Sequence, residues 1–176
     1  MTLKETTRRL TDELLDFHLP RWAELPDIEL YMDQVIALMG KYLGSRCSGS
    51  EKMLTPSMVN NYVKMGIMPP PVKKKYSRAH LAHLIIICVL KQVMPIPLVR
   101  ELISASLTEL DEQQLLDTFC DYYDVAATEA VRSVAERADI IESGGKTGRD
   151  LLAASCAIRS QLELLIAERL ASEAEA

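Results

Sequence analysis

Ser57, Asn60, Asn61 and Lys64 recur at i, i+3, i+4 and i+7, the spacing that gathers side chains onto one face of a helix. Helix surfaces usually carry Glu and Lys, which are good helix formers. This stripe instead holds a hydroxyl, two amides and one lysine, with no acid. Asparagine amides can pair bidentately with the major-groove edge of adenine, and lysine reaches guanine or phosphate, so the chemistry on offer is the reading of duplex DNA. A second group follows in Lys73-Lys74-Lys75-Tyr76 and Arg78. Three ammonium groups beside an aromatic ring suit phosphate contact, each cation displacing a condensed counterion. Both groups also have plainer readings, as a solvated helix face and as a solubilising surface.

The elements around them are predicted to be helices. Thr55-Pro56 reads as an N-cap followed by proline at the first helical position, and Gly66 as the stop. Met58, Val59, Tyr62 and Met65 fill the other side of that helix. Pro69-Pro70-Pro71 must then be extended, leading into the lysine turn. Ser77 caps a helix from about 78 to 94 that is apolar nearly all round, hence the central buried one, and Pro95-Ile96-Pro97 starts a short helix bearing Leu98 to Ile103. Upstream, Thr2 to Glu5 reads as a capping box opening a helix through Phe17, Trp22 to Pro26 as an apolar strap, 28 to 43 as a second amphipathic helix, and 44 to 50 as a flexible connection. Downstream, Leu115 to Tyr123 and Val125 to Ile141 give helical stripes. Leu151, Ser155, Ile158, Leu162, Leu165/Ile166 and Arg169 give a last one, which serves either intramolecular packing or a homodimer seam. A mean hydropathy of +0.03 favours the dimer.

Charge sorts the chain in the same way. The 176 residues carry a net charge of −5. Yet the 49 residues from Lys52 to Arg100 hold eight bases and no acid, while the rest sums to −13. Such asymmetry points to a polyanion partner for the central third, or to a basic patch that docks on the chain's own acidic remainder. The longest apolar run, Leu84 to Leu90, is far short of the roughly 20 residues of a bilayer span. The amino-terminal segment lacks the apolar core of a secretory signal, so the cytoplasm is the expected location. Cysteines at 47, 88, 120 and 156 form no C-x-x-C pair and read as reduced thiols.

Enzymatic constellations are weak. Gly144-Gly145-Lys146-Thr147 resembles the end of a phosphate loop, but position 140, where the earlier glycine belongs, is isoleucine. His80 and His83 at i, i+3 lack a Cys or carboxylate at ligand spacing. Asp121 and Asp124 around Tyr122-Tyr123 are explained by an acidic helix end in water. No enzymatic activity, cofactor or metal is expected.

The strings TPSMVNNYVK and PPPVKKKYSR, with Ala82 to Ile87, resemble a bacterial family known only as domain of unknown function 1836, over roughly residues 20 to 106. More distantly, the order of helices, the Tyr-x-x-x-Gly-Ile-x-Pro string from Tyr62, the basic turn with Tyr76-Ser77 and the following helices is similar to the winged helix-turn-helix of MerR-type transcriptional regulators. In that comparison Tyr62 and Gly66-Ile67 end the recognition helix and Lys75-Tyr76-Ser77 leave the wing. This sequence departs from the MerR pattern in a longer helix connection, a short wing, and Asn60-Asn61 where an arginine is usual. The resemblance implies a bacterial DNA-binding regulator. The expectation is therefore an all-α protein with a MerR-like winged helix-turn-helix domain over 1–106 and an acidic helical region over 107–176 for dimerisation or an effector. Its partners would be double-stranded DNA, a second copy of itself and an unknown small-molecule effector, with no membrane. Ser57, Asn60, Asn61 and Lys64 would face the groove, and Lys73, Lys74, Lys75, Tyr76 and Arg78 the backbone. The competing expectation is a helical protein–protein adaptor that binds no DNA.

Overall fold

A computed structural model describes residues 3–44, 53–141 and 145–173. Seven α-helices lie among them: α1 (Leu3–Leu15), α2 (Met32–Leu43), α3 (Pro56–Lys64), α4 (Arg78–Leu90), α5 (Ile96–Ser106), α6 (Glu112–Ile141) and α7 (Gly145–Glu173), with a 3-10 turn at Trp22–Glu24. The all-α expectation holds, since no strand occurs among the described residues and β-pairing is confined to two isolated bridges, Leu30 with Tyr76 and Val72 with Lys75. Thr2, expected as a helix cap, most of the connection expected at 44 to 50, and residues 142–144 lie outside the described residues.

The chain forms two units, residues 19–120 and residues 1–18 with 121–176. This differs from the boundary expected at 106. The first turns of α6 belong to the central unit because Leu115, Leu116 and Cys120 are buried there. Asp117 also accepts a hydrogen bond from the Trp22 backbone N–H at 2.9 Å. The helix α1, expected as an extension of the DNA-binding domain, packs instead on α7.

In the central unit α4 is the core. Every residue from His80 to Cys88 is buried, and the helix packs against α2 and α5. Val35, Met39 and Leu43 of α2 and Val99 and Ile103 of α5 bury their apolar positions, and α2 also packs on α3. Three helices are shorter than their periodicity suggests. α1 ends at Leu15 rather than Phe17. α2 starts at Met32 rather than 28 because Leu30 is held extended by two hydrogen bonds with Tyr76, at 2.9 and 2.8 Å. α4 stops at Leu90 rather than 94, because the chain tightens into a turn there, with the Val93 and Met94 N–H groups both donating to Leu90 O at 3.0 and 2.8 Å.

The other unit contains α1, α6 from Asp121 and α7. Phe17 meets Tyr123 edge-on at 5.9 Å. α6 and α7 are tied by Arg137 to the Ser155 hydroxyl and by Arg159 to the Ser133 hydroxyl. The two apolar stripes expected on either side of residue 124 lie on one continuous 30-residue helix.

Candidate nucleic-acid interface

Local sequence fixes both ends of α3. Thr55 adopts extended angles and its hydroxyl oxygen accepts the Met58 N–H at 3.2 Å, with Pro56 following at the first helical position. At the other end Gly66 takes φ +68°. Its N–H donates to Val63 O at 3.1 Å and that of Ile67 to Tyr62 O at 3.0 Å, the two bonds of a Schellman motif. Val59 and Tyr62 sink into the core. Burial, followed by the nearby Cys88 thiol, pushes the Tyr62 hydroxyl up to about 12.

With that side anchored, Ser57, Asn60, Asn61 and Lys64 are all exposed. Together with Thr55 and Met58 they line one open depression. The Asn61 amide donates to the Met65 sulfur at 3.4 Å. Lys64 has no ion pair among the described residues.

The lysine tract forms a two-residue hairpin turn. Val72 and Lys75 exchange backbone hydrogen bonds at 3.1 and 2.9 Å, and the central residues Lys73 and Lys74 take φ +50° and +64°. Consecutive positive φ values are the mark of a type I′ turn, where Asn-Gly is the favoured pair. Here two lysines hold it, at a cost of roughly 1 kcal/mol each. Both side chains are exposed and neither has an ion pair among the described residues.

The other three expected backbone contacts are placed differently. Lys75 Nζ lies 3.6 Å from Glu29 and over the Tyr31 ring at 5.8 Å. Arg78 pairs with Asp27 at 3.3 Å, stacks on Trp22 at 5.5 Å and is largely covered. The Tyr76 ring is buried at 3% exposure, edge-on to His80, because the backbone pairing of Tyr76 with Leu30 draws it inward. Tyr76 and Arg78 thus hold the turn to the core rather than present themselves to a partner. Among the described bases of that acid-free segment, Lys75 and Arg78 pair with Glu29 and Asp27, acids upstream of it.

Sequence reasoning missed the role of the histidines. The Ser77 N–H donates to His80 Nδ1 at 3.0 Å, so the neutral ring carries its proton on Nε2, which donates to Pro70 O at 3.3 Å. Burial, outweighing the Pro70 hydrogen bond, lowers the His80 pKa from its usual 6.5. His83 Nδ1–H donates to Ile67 O at 3.0 Å, and its Nε2 lies in hydrogen-bond contact with Glu112 Oε2 at 2.7 Å. It joins the residue after the Gly66 turn to the first turn of α6. The signal in the sequence was that a histidine pair on a fully apolar helix must find buried partners.

In the other unit, a cavity of about 250 Å³ lies among α1, α6 and α7. Leu10, Leu14, Val131, Val134 and Leu152 line it, with Arg149 as its charged side chain. No helix among the described residues is long and apolar enough to cross a membrane.

No curated protein and no solved structure matches the chain with significance. The family model described as Domain of unknown function (DUF1836) matches residues 20–125, which takes in the central unit with α3, the lysine turn and α4. The match spans more than half of the chain, and the protein belongs to that family.

Proposed function

We propose that this protein is a transcriptional regulator that binds double-stranded DNA, with α3 entering the major groove and the Lys73-Lys74 turn resting on the phosphate backbone. The observation that carries this reading is the exposed face of α3, where Ser57, Asn60, Asn61 and Lys64 stand in solvent with no acid among them while Val59 and Tyr62 lock the opposite face. A helix anchored in this way presents two amides rigidly, and amides read adenine. The strained lysine pair supports the same reading, since backbone strain persists where a surface is retained for use. The resemblance of the sequence to MerR-type winged helix-turn-helix domains supports this reading, and in it the two-residue hairpin before α4 serves as the wing. The regulator acts as a homodimer on two half-sites, giving a roughly palindromic operator. The apolar cavity of the other unit is the place for a small-molecule effector.

The test is fluorescence anisotropy with a genomic duplex pool, then with selected sequences, from 50 to 300 mM salt. The expected result is a steep fall of log K with log salt, by about 0.9 per neutralised phosphate. Asn60→Ala with Asn61→Ala lowers sequence preference more than general affinity. Undetectable binding at 50 mM salt by the folded protein overturns the reading in favour of a protein–protein adaptor.

A further inference from the structure

We infer that His80 and His83 are positioning residues for the DNA contact proposed above: as a clamp on the chain between α3 and the lysine hairpin, they make helix and hairpin meet a duplex as one rigid surface. This rests on the groove-reading proposal and gives it two side chains that touch no DNA themselves. Between the Gly66 stop and Val72, where the hairpin begins, the chain runs through Ile67, Met68 and three prolines. Prolines carry no N–H, so Pro69, Pro70 and Pro71 can be held only through their carbonyls, by donors from elsewhere. α4 supplies donors to both ends of this stretch. His83 Nδ1–H reaches Ile67 O at 3.0 Å and His80 Nε2–H reaches Pro70 O at 3.3 Å. The Ile67 N–H is meanwhile committed to Tyr62 O, so Ile67 closes α3 with its donor and takes the clamp on its acceptor.

Each ring is aimed by what meets its other nitrogen. His80 Nδ1 accepts the Ser77 N–H at 3.0 Å, which leaves the Nε2 proton for Pro70. His83 Nε2 lies against Glu112 Oε2 at 2.7 Å, a carboxylate on the first turn of α6, while Nδ1 faces a carbonyl that can only accept. Both histidines and Ile67 are buried, so no water stands ready to replace a lost partner. The neighbouring parts are anchored by other means: α3 by Val59 and Tyr62, and the far side of the hairpin by the pairing of Tyr76 with Leu30. The near side falls to the two histidines. Its hold matters because Lys73 and Lys74 sit at positive φ, and a strained turn keeps its shape only where the surroundings over-determine it.

NMR relaxation of the full chain, with no DNA present, reads the clamp. Amide order parameters at Lys73 and Lys74 should be about 0.85 in the parent and fall below about 0.6 in His80→Leu with His83→Leu, while those of Val59 and Tyr62 stay as they were. His80→Gln with His83→Asn, whose amide N–H groups stand roughly where Nε2–H and Nδ1–H stood, should restore the parent values. In anisotropy the Leu pair should flatten the slope of log K against log salt by up to about 1.8 although both lysines are still present, and the amide pair should recover it. Glu112→Ala, at a side chain 33% exposed, frees His83 alone and loosens the hairpin part way, which keeps the clamp testable if the Leu pair fails to fold. Unchanged order parameters in the folded variants, or a loss that the amide pair does not restore, overturns the clamp. A loosened hairpin with an unaltered salt slope overturns its part in DNA contact. A parent that binds no duplex, with order parameters moving as expected, counts against the groove reading and leaves the clamp standing.

Discussion

Replacing Lys73→Asn together with Lys74→Gly should make the protein more stable and a poorer DNA binder at once. Both lysines sit at φ values, +50° and +64°, that side chains with a Cβ avoid, and relieving two such positions returns about 2 kcal/mol. The new glycine gives back part of this, about 0.5–1 kcal/mol, through the greater freedom of the unfolded chain. The net gain is about 1 kcal/mol, which for a unit of this size is a rise of about 4 °C in Tm. On the binding side, two exposed ammonium groups are lost. The slope of log K against log salt should then flatten by about 1.8, so that between 50 and 200 mM salt the parent protein loses roughly 12-fold more affinity than the variant. Differential scanning calorimetry and anisotropy on the same samples read the two effects. An unchanged or lower Tm refutes the strain argument. A higher Tm with an unaltered salt slope refutes the placement of these lysines on phosphate.

Gly66→Ala should cost about 1 kcal/mol in urea unfolding, with Gly66→Asn milder, because the position needs φ +68° while an added Cβ meets nothing within 4 Å. Glu112→Ala should cost about 1–3 kcal/mol by leaving His83 Nε2 buried without its partner, and Glu112→Gln should recover part of that; equal stability of both variants to the parent counts against the bridge. Stability should fall on both sides of neutrality. Below pH 6.5 the unfolded chain takes up a proton that His80, its pKa lowered, resists. Above pH 10 the unfolded chain releases a proton that Tyr62 holds to about 12, a loss of about 2–3 kcal/mol by pH 12. A Tyr62→Phe variant whose alkaline unfolding midpoint equals the parent's would contradict the second half.

Much of the central unit is legible because its signals are local. Thr55-Pro56 and Gly66 bracket α3 with residues whose chemistry suits helix ends, and the continuous apolar run of α4 leaves no face for water. The lysine turn was legible as a basic surface but not as a hairpin, since Lys-Lys is an unfavourable type I′ pair and nothing in its neighbourhood announces positive φ. Tyr76 and Arg78 were misplaced for a related reason. Both side chains have an apolar body and a polar tip, so composition alone does not say which end meets solvent. That is decided by Leu30, 46 positions upstream of Tyr76. The partnership of His83 with Glu112, and the seating of α1 against α7, likewise join segments that share no periodicity. The Asp111-Gln114 capping pair that opens α6 was readable from residue types, with reciprocal bonds of 2.8 and 3.0 Å, and was overlooked beside the apolar stripe.

The central unit is fastened at its own extremities: the Trp22 N–H reaches Asp117, and the Cys120 thiol reaches Pro20 O across 100 positions. A ribosome adding about 5–20 residues per second needs roughly 5–20 s to deliver the second partner after the first. During that interval the Trp22 N–H and the Pro20 carbonyl wait for their partners, so the first segment of this unit to be made is among the last to be secured. Nascent chains halted before residue 115 should therefore be the ones that chaperones hold.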